Sequence, residues 1–316
     1  MTRMNRILFL FIGRCSFFAV WADEPFGIVN VSVCNTRNSA DYNSAQESQA
    51  LLGMPVKILD REREWTKIQT PDDYVHWVLS GSLQRVDKAG LHAWNRADQV
   101  VVTALYGFVY QEKNVRSQTM SDVVAGDRLR LIARRGKFYE VAYPDGRKGF
   151  ISRKICQPIW EWRYKLKQDA QSILKTAYTM NGIPYMWSGT SPKGMDCSGF
   201  VRTTLYMHDI IIPRNAAQQA EKGQRIEIAP DFSNLEPGDL LFFGNKRTGR
   251  VSHVGFYVGQ KRFIHSLGWV HESSFSPQDP NYDEYDLGRL LFASRILPYI
   301  NKEAGLCTTD QNEYYK

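Results

Sequence analysis

The stretch PYMWSGTSPKGMDCSGFV at residues 184–201 decides how the rest of the chain is interpreted. Proline and glycine interrupt every regular period before Cys197, whereas Phe200, Val201 and Leu205 recur at helical spacing after it. Cys197 is therefore predicted to begin a helix, where free N–H groups and the positive end of the helix dipole favour the thiolate. The thiolate attacks carbonyl carbon, so Cys197 is our candidate nucleophile. The competing interpretation is a small buried hydrophobe, the commoner fate of a lone cysteine.

Residues 1–22 have the composition of a cleaved export signal. Arg3 and Arg6 precede an apolar run, and small residues stand at the positions that a signal peptidase reads, in Val20-Trp21-Ala22. Arg14 inside the apolar run departs from that pattern. The rest of the chain has no run long enough to span a bilayer. We therefore expect an exported protein, periplasmic or associated with the cell envelope, without stable membrane insertion after cleavage.

Composition and charge exclude several classes of function. The 316 residues are 43% apolar and 23% charged, an ordinary globular composition for two or three domains. The formal net charge is +7, and loss of the three arginines in residues 1–22 leaves +4. Without a basic block interleaved with aromatics, this charge is too mild to indicate nucleic-acid binding. The six histidines and the cysteines lack metal-ligand spacing, so we predict no metal and no cofactor. If Cys197 stays reduced, Cys34, Cys156 and Cys307 allow at most one disulfide.

Residues 23–92 and 93–158 are predicted to form two copies of one small all-β module. In each copy an aromatic residue, a Pro-Asp pair and a second aromatic residue follow one another at intervals of six residues. These are Trp65, Pro71-Asp72 and Trp77 in the first copy, and Phe138, Pro144-Asp145 and Phe150 in the second. Asn35-Thr36-Arg37 and Asn114-Val115-Arg116 are a further candidate echo. Alternating short strands in units of this size fit a small barrel better than a sandwich.

Residues 159–300 are predicted to form an α+β domain that carries Cys197. Helices are expected from Glu161 to Met180, from Cys197 to His208, and over a short segment that Pro213 opens. The sequence after Asp239 predicts strands at Leu240-Leu241-Phe242-Phe243, Val251 to Val258 and Arg262 to His265. Residues 301–316 are a polar tail that we expect to be poorly ordered.

A cysteine nucleophile needs a base, and the base needs a group that orients it. His253 and His265 are the candidates, because the apolar runs that carry them flank Gly259 and predict a β-hairpin. Both lie six residues from Gly259, so a turn centred there would make them directly opposed and within hydrogen-bond reach. His253 would then be the base. A turn centred half a residue away would put the rings on opposite faces, and two histidines packed in a sheet are the alternative.

Four segments together resemble the signature of the NlpC-type cell-wall cysteine peptidases, in that family's order. They are Asp196-Cys197-Ser198-Gly199-Phe200, Pro237-Gly238-Asp239-Leu240, Ser252-His253-Val254-Gly255 and Phe263-Ile264-His265. The resemblance covers about residues 166–297, and the two β-modules resemble bacterial SH3-like domains. It implies a papain-like α+β fold with Cys197 as nucleophile, His253 as base and His265 as third member. It also implies that the Tyr185 hydroxyl joins the Cys197 amide at the oxyanion site, with a core aromatic as the alternative for Tyr185.

Relatives with this domain order are γ-D-glutamyl-L-diamino-acid endopeptidases, which cleave murein stem peptides that have a free N-terminal L-alanine. The resemblance implies that Asp196 binds the free amine and that Ser198 holds the substrate backbone. It also implies that Tyr74 reaches in from the first module. Asp196 as a helix N-cap is the competing interpretation, and it could do both.

Three positions depart from the family pattern. Ala45 stands where a glutamate is expected, and the nearby Glu47 is expected to face the other way along a strand. Ala216 stands where a serine is expected. Ser188 replaces a glycine, which is tolerable only if its φ is negative. These departures bear on the strictness of amine recognition and leave catalysis intact.

The leading hypothesis is an exported cysteine endopeptidase that hydrolyses the γ-D-glutamyl-diamino-acid bond of murein stem peptides and releases L-Ala-D-Glu. Two alternatives remain: a wall-binding protein whose peptidase domain has little activity, and an acyl transferase that uses the same thioester. The sequence leaves open which diamino acid is accepted, the oligomeric state, and whether the protein stays in a periplasm.

Overall fold

The computed structural model of the protein describes residues 25–316, so the expected export signal lies outside the described residues. The first module is one antiparallel sheet in the order β3-β2-β6-β5-β4-β1-β7. Its strands are β1 (Phe26–Val29), β2 (Val33–Arg37), β3 (Gln46–Leu51), β4 (Pro55–Glu62), β5 (Trp65–Gln69), β6 (Val75–Leu79) and β7 (Leu83–Val86). Helix α1 (Lys88–Arg96), capped by the Asp87 carboxylate, leads into the second module.

The second module repeats the first with a shift of 73 residues, as in 26 to 99 and 65 to 138. Its strands are β8 (Gln99–Val102), β9 (Tyr106–Tyr110), β10 (Thr119–Val124), β11 (Arg128–Arg135), β12 (Phe138–Ala142), β13 (Lys148–Ser152) and β14 (Cys156–Pro158). The aromatic and Pro-Asp spacing identified this repeat correctly. The predicted match between Asn35-Thr36-Arg37 and Asn114-Val115-Arg116 was wrong. With the 73-residue shift, the residue of the second module that is equivalent to Arg37 is Tyr110. Each sheet surrounds an apolar core, as expected of two small SH3-like barrels, and each core is completed from the other module, by Val124 in the first and Leu52 in the second.

The remaining chain is an α+β domain around a six-stranded antiparallel sheet in the order β18-β23-β19-β20-β21-β22. Its helices are α2 (Ile159–Lys165), α3 (Ala170–Thr179), α4 (Cys197–Tyr206), α5 (Ala216–Gln219) and α6 (Glu284–Arg289). Its strands are β15 (Thr190–Ser191), β16 (Gly194–Met195), β17 (Ile210–Ile211), β18 (Gln224–Ile226), β19 (Leu240–Asn245), β20 (Arg250–Gly259), β21 (Arg262–Leu267), β22 (Trp269–Ser274), β23 (Leu290–Arg295) and β24 (Cys307–Thr308). The predicted α+β class is confirmed.

Two helix predictions were wrong in their bounds. The single helix expected from Glu161 to Met180 is broken, because the Asp169 side chain accepts a hydrogen bond from the Ser172 amide and so begins a new helix. The short helix α5 does not start at Pro213. Its N-cap is Asn215, which forms a reciprocal capping box with Gln218.

Helix α4 is held against the sheet by apolar contacts along one face. Phe200, Val201 and Leu205 are fully buried in the same cluster as Val254 and Phe256 of β20. Burial of each such side chain contributes about 1.5–3 kcal/mol. Because Cys197 precedes this face by three residues, the packing of α4 fixes where its sulfur lies.

Contacts from both modules hold the loop before Cys197. The Thr190 amide donates to Gln49 Oε1 at 2.8 Å, and the Thr190 hydroxyl donates to the Gln49 carbonyl at 3.1 Å. Lys193 forms an ion pair of 2.5 Å with Asp122 of the second module. The SH3-like modules therefore help to shape the loop that leads to the candidate nucleophile.

The C-terminal segment is folded, so the expectation of a poorly ordered tail was wrong. Strand β24 pairs with β17, and the Tyr314 side chain is buried. The Arg128 guanidinium of the second module lies 4.6 Å from the centre of the Tyr315 ring. Asn95, in the helix that connects the modules, donates to the Tyr314 carbonyl at 2.9 Å. The polar residues of this segment contact the second module, the connecting helix and the peptidase domain, and these contacts hold it in place.

Within residues 25–316, no helix is long and apolar enough to cross a membrane. Cys34, Cys156, Cys197 and Cys307 are all free thiols.

Candidate active site

Cys197 is the first residue of α4, as predicted. The Asp196 carboxylate caps the helix by accepting from the Gly199 amide at 2.7 Å. Gly199 is required where it stands, because a β-carbon there would lie 1.9 Å from the Gly189 carbonyl oxygen. The loop and the helix therefore meet backbone to backbone just behind the sulfur.

The resting state of Cys197 differs from the preformed thiolate that the sequence predicted. Burial, followed by the nearby Asp196 charge, raises the pKa of the thiol to about 12. The amides of Val254 in β20 and of Ser198 at the start of α4 lie within reach of the sulfur and lower the pKa of the thiol, but burial and Asp196 outweigh them. The sulfur therefore needs a base to take its proton as it reacts.

The hairpin β20–β21 brings the two predicted histidines together through a register that the sequence analysis did not anticipate. The turn residues are Gln260 and Lys261, both with positive φ, so the turn is centred past Gly259. A bulge at Val258 then shifts the pairing by one residue and places His265 opposite Gly255. His253, two residues from Gly255, shares the face of His265. The predicted direct opposition was wrong, but the predicted contact is present.

The contact between the rings is a hydrogen bond of 2.8 Å from His253 Nε2 to His265 Nδ1. Both rings are buried, at 3% and 0% exposure. Burial lowers the pKa of His253 to about 3 and that of His265 well below the ordinary value, so both rest as neutral imidazoles. Because Nε2 of His253 is engaged, its Nδ1 is the nitrogen available to a thiol proton.

Tyr185 lies at the mouth of the same site. Its amide donates to the Gly268 carbonyl at 2.8 Å, which ties the loop before Cys197 to the turn after β21. Burial, together with the neighbouring Cys197 and Asp196 groups, raises the pKa of the Tyr185 hydroxyl to about 12. The hydroxyl therefore keeps its proton and can act as a hydrogen-bond donor.

Asp196 and Ser198 are bound to a buried arginine. Arg214 Nη2 lies 2.6 Å from Asp196 Oδ2, and Arg214 Nη1 donates to the Ser198 hydroxyl at 2.9 Å. The Ser188 amide also donates to Asp196 Oδ2, at 3.0 Å. Asp196 is thus a helix cap and an ion-pair partner at once, and most of its lone pairs are already used. Arg214 was not among the predicted site residues, although it adjoins Asn215 and lies two residues before Ala216.

A second carboxylate reaches this region from the first module. Tyr74 donates its hydroxyl to Glu47 Oε2 at 2.9 Å, and the Asn215 side chain donates to the same hydroxyl at 3.4 Å. The expectation that Glu47 faces away was wrong, because its carboxylate accepts from the Tyr74 hydroxyl. Strand parity does not decide its direction, since Glu47 lies at the bulge between the Thr36–Ser48 and Arg37–Gln46 pairs.

Ser188 has φ of 62°, so the condition set for a serine at this position, a negative φ, is not met. This is the left-handed conformation that favours glycine. Two hydrogen bonds hold Ser188 in this conformation. The Ser188 amide donates to the Asp196 carboxylate, and the Gln46 side-chain amide donates to the Ser188 carbonyl at 3.4 Å.

Asp286 of α6 joins the histidine pair, and no sequence spacing indicated it. Its Oδ2 lies 3.4 Å from His265 Nδ1, and Arg289 Nε lies 2.9 Å from its Oδ1. Ligand atoms of His253, His265 and Asp286 lie within 4.8 Å of one another, a set that could hold a metal ion. The two nitrogens are, however, 2.8 Å apart, closer than the roughly 3.3 Å between two ligands of a tetrahedral zinc. We therefore interpret His253 and His265 as a hydrogen-bonded pair, with Asp286 as a nearby carboxylate and not as a metal ligand.

The chain is similar to known proteins over most of its length. Residues 182–288 match the NlpC/P60 family, and residues 36–83 match the bacterial dipeptidyl-peptidase SH3 domain. A gamma-D-glutamyl-L-lysine dipeptidyl-peptidase of Bacillus cereus is 31% identical over 267 residues, which cover 80% of this chain and 75% of the relative. Dipeptidyl-peptidase 6 of Lysinibacillus sphaericus is 29% identical, over 81% of this chain and 93% of the relative. The crystal structure of an NlpC/P60 family protein from Bacillus cereus has a TM-score of 0.70 at 24% identity, over 86% of this chain and 100% of that one.

Fold and site together define a cysteine peptidase with SH3-like modules ahead of a papain-like domain. The chain belongs to the NlpC/P60 family of cell-wall peptidases, as the four sequence segments predicted. Membership in this family implies that the protein acts in the cell envelope or outside the cell.

Proposed function

We propose that the protein hydrolyses the bond between D-glutamate and the diamino acid in murein stem peptides whose N-terminal L-alanine is free. The observation that carries this proposal is a cluster of polar side chains shared between domains. Glu47 and Tyr74 of the first module meet Asn215, which follows the Arg214 of the Asp196–Arg214 pair, and Asp196 directly precedes Cys197. A carboxylate placed there suits a substrate that ends in an ammonium group.

In the proposed reaction, His253 Nδ1 takes the thiol proton as the Cys197 sulfur attacks the γ-carbonyl carbon of D-glutamate. The Tyr185 hydroxyl and the Cys197 amide donate to the oxyanion. When the intermediate collapses, His253 gives the proton to the leaving amine of the diamino acid, and a thioester remains. Water, deprotonated by His253, then attacks the thioester; L-Ala-D-Glu leaves, and the sulfur takes the proton back.

The two carboxylates have different tasks in this proposal. Asp196 is already neutralised by Arg214 and mainly orients the loop and the head of α4. Glu47, which is only partly buried and accepts from the Tyr74 hydroxyl, has no ion-pair partner within residues 25–316 and so offers its carboxylate to the substrate ammonium. Glu47 therefore takes the place that the family pattern gave to residue 45.

Product analysis with L-Ala-γ-D-Glu-L-Lys and with the corresponding meso-diaminopimelate peptide tests the proposal. Mass spectrometry should find L-Ala-D-Glu and the free diamino acid. Acetylation of the alanine amine should lower kcat/KM by about 100-fold, because the Glu47 carboxylate then loses its cationic partner and the acetyl group adds bulk beside it. Equal rates for free and acetylated peptide would contradict the amine pocket. Binding to intact wall without any cleavage would instead support the wall-binding alternative.

Glu47→Gln tests the assignment of the amine-binding carboxylate. The amide keeps the shape and can still accept from Tyr74, but it removes the charge, so KM should rise about 10-fold with little change in kcat. Glu62→Gln, at an exposed site on the same module, is the matched control and should leave both constants unchanged. An unchanged KM in Glu47→Gln would reject this role.

A further inference from the structure

His271 is a third histidine in the chain of rings that starts at His253. It lies on β22 directly opposite His265 in the strand register. Its Nε2 is 3.2 Å from His265 Nε2, and its Nδ1 is 2.9 Å from the Trp269 carbonyl oxygen. Unlike the two buried rings, it is only partly buried. The three rings therefore form a continuous hydrogen-bonded path from the site to a backbone carbonyl at its edge.

The backbone carbonyl fixes where the protons lie along this path. A carbonyl oxygen only accepts, so Nδ1 of His271 carries a proton, and in the tautomer with a single ring proton Nε2 presents a lone pair. That lone pair accepts a proton donated by His265 Nε2, which leaves His265 Nδ1 as an acceptor. His253 must then donate from Nε2, at 2.8 Å. The consequence is a lone pair on His253 Nδ1, the form that a general base requires.

Ser273 supports the same arrangement. Its Oγ lies 3.1 Å from His265 Nε2 and donates its own proton to Asp283 Oδ2 at 3.3 Å. The serine oxygen is therefore a second acceptor for the His265 Nε2 proton. Both acceptors come from β22, on the side of His265 that faces away from His253.

Asp286 favours the opposite tautomer of His265, with the proton on Nδ1. Its carboxylate, 3.4 Å from His265 Nδ1, would by itself attract the His265 proton to that nitrogen. His253 would then accept at Nε2 and hold its proton on Nδ1, which is the wrong form for a base. Arg289 Nε, at 2.9 Å, offsets part of this charge. The tautomer of His265 thus depends on the acceptors at Nε2 outweighing Asp286 at Nδ1.

We propose that His271, assisted by Ser273, is a positioning residue that acts through His265 to keep the lone pair of His253 on Nδ1. This inference rests on the proposed role of His253 as base. It assigns no contact between His271 and the substrate. A carbonyl oxygen thus controls the protonation of a base two rings away.

Nitrogen-15 NMR of the histidine rings in the substrate-free protein tests the proposal directly. In the wild type, His271 should carry its proton on Nδ1, whereas His265 and His253 should carry theirs on Nε2. In the double variant His271→Phe/Ser273→Ala, His253 should shift wholly or partly to the Nδ1–H form. A wild-type His253 with its proton on Nδ1, or a double variant with unchanged tautomers, would overturn the proposal.

Kinetics provide a second readout that a merely structural role would not move. His271→Phe should lower kcat about 10-fold and the double variant about 100-fold, with KM unchanged because neither residue touches substrate. His271→Gln, whose side-chain oxygen can accept from His265, should recover most of the rate.

Glu272→Gln, at the adjacent position on the opposite face of β22, is the matched control and should leave kcat unchanged. Unchanged kcat in the double variant would reject the proposal. Failure of the wild type to cleave stem peptides would reject the proposed function and leave the NMR result standing.

Discussion

Ser188 adopts a backbone conformation that L side chains rarely take, in the loop that leads to Cys197. The left-handed conformation costs roughly 1–2 kcal/mol for a residue with a β-carbon. Ser188→Gly removes that cost and adds some unfolded-state entropy, so the free energy of unfolding should rise by about 0.5–1 kcal/mol. Denaturant unfolding at neutral pH measures the change.

Ser188→Ala is the control for this prediction, because alanine keeps the β-carbon and loses only the hydroxyl. It should give no gain in stability. A glycine variant that is less stable than the alanine variant would show that the loop is not strained at Ser188.

His76 is a buried titratable residue outside the candidate active site. It is 2% exposed, and neither ring nitrogen has a hydrogen-bond partner among the described residues. Burial lowers its pKa to about 4. Folding therefore favours the neutral ring, and the unfolded chain takes up a proton below about pH 6.5. Its contribution to stability is complete above pH 6.5 and declines as the pH falls towards 4.

His76→Phe should therefore make the protein less sensitive to acid. Between pH 7 and pH 5 the wild type should lose about 2 kcal/mol through this ring, and the variant should not. At pH 7 the two should differ by less than about 1 kcal/mol, because no hydrogen bond is lost. His92→Gln, at an exposed position of α1, should retain the full acid sensitivity. An equal loss in His76→Phe and wild type would contradict the burial argument.

At the scale of elements, the hairpin that carries His253 and His265 depends on a bulge. The turn is centred between Gln260 and Lys261, one and a half residues beyond Gly259, and strand parity from that centre would put the rings on opposite faces. The extra residue, Val258, restores the common face. The sequence could predict two strands and a turn from apolar runs and Gly259, but a bulge leaves no comparable pattern in one chain.

Gly255 leaves room for the His265 side chain beside the His253 ring. It lies opposite His265 in the register, and a β-carbon there would lie 2.9 Å from the His265 β-carbon. Gly255→Ala should displace His265 and lower kcat by at least 10-fold, with a smaller effect on KM. Gly81→Ala, where a β-carbon meets nothing within 4 Å, should not change either constant. Full activity in Gly255→Ala would show that the spacing of the rings is not critical.

For the whole molecule, the C-terminal segment connects all three parts of the chain. Lys57 of the first module lies 4.8 Å from the centre of the Tyr314 ring, and Tyr315 bonds to the Tyr206 hydroxyl at 3.1 Å. Tyr314→Ala should lower the free energy of unfolding by about 3 kcal/mol, because the ring is 2% exposed. Tyr164→Ala, at an 88% exposed ring, should change it by less than about 0.5 kcal/mol. Equal effects of the two changes would mean that the tail is not part of the folded structure.

The sequence predicted what depends on local pattern. The repeated aromatic spacing gave two modules, and the break before Cys197 followed by apolar periodicity gave the helix that begins there. What it missed depends on contacts between distant segments. The raised pKa of Cys197 results from burial in the folded domain. Asp286 lies on a helix that carries no recognisable motif. The C-terminal segment is ordered by partners that are distant in sequence.

Every step of the proposed reaction depends on attack by the Cys197 sulfur, so the rate without that sulfur identifies the nucleophile. Cleavage of L-Ala-γ-D-Glu-L-Lys should fall by about 10⁴-fold or more in Cys197→Ala. Cys156→Ala, which removes a buried thiol from the second module, should keep the wild-type rate. Near-normal cleavage by a folded Cys197→Ala protein would contradict the account.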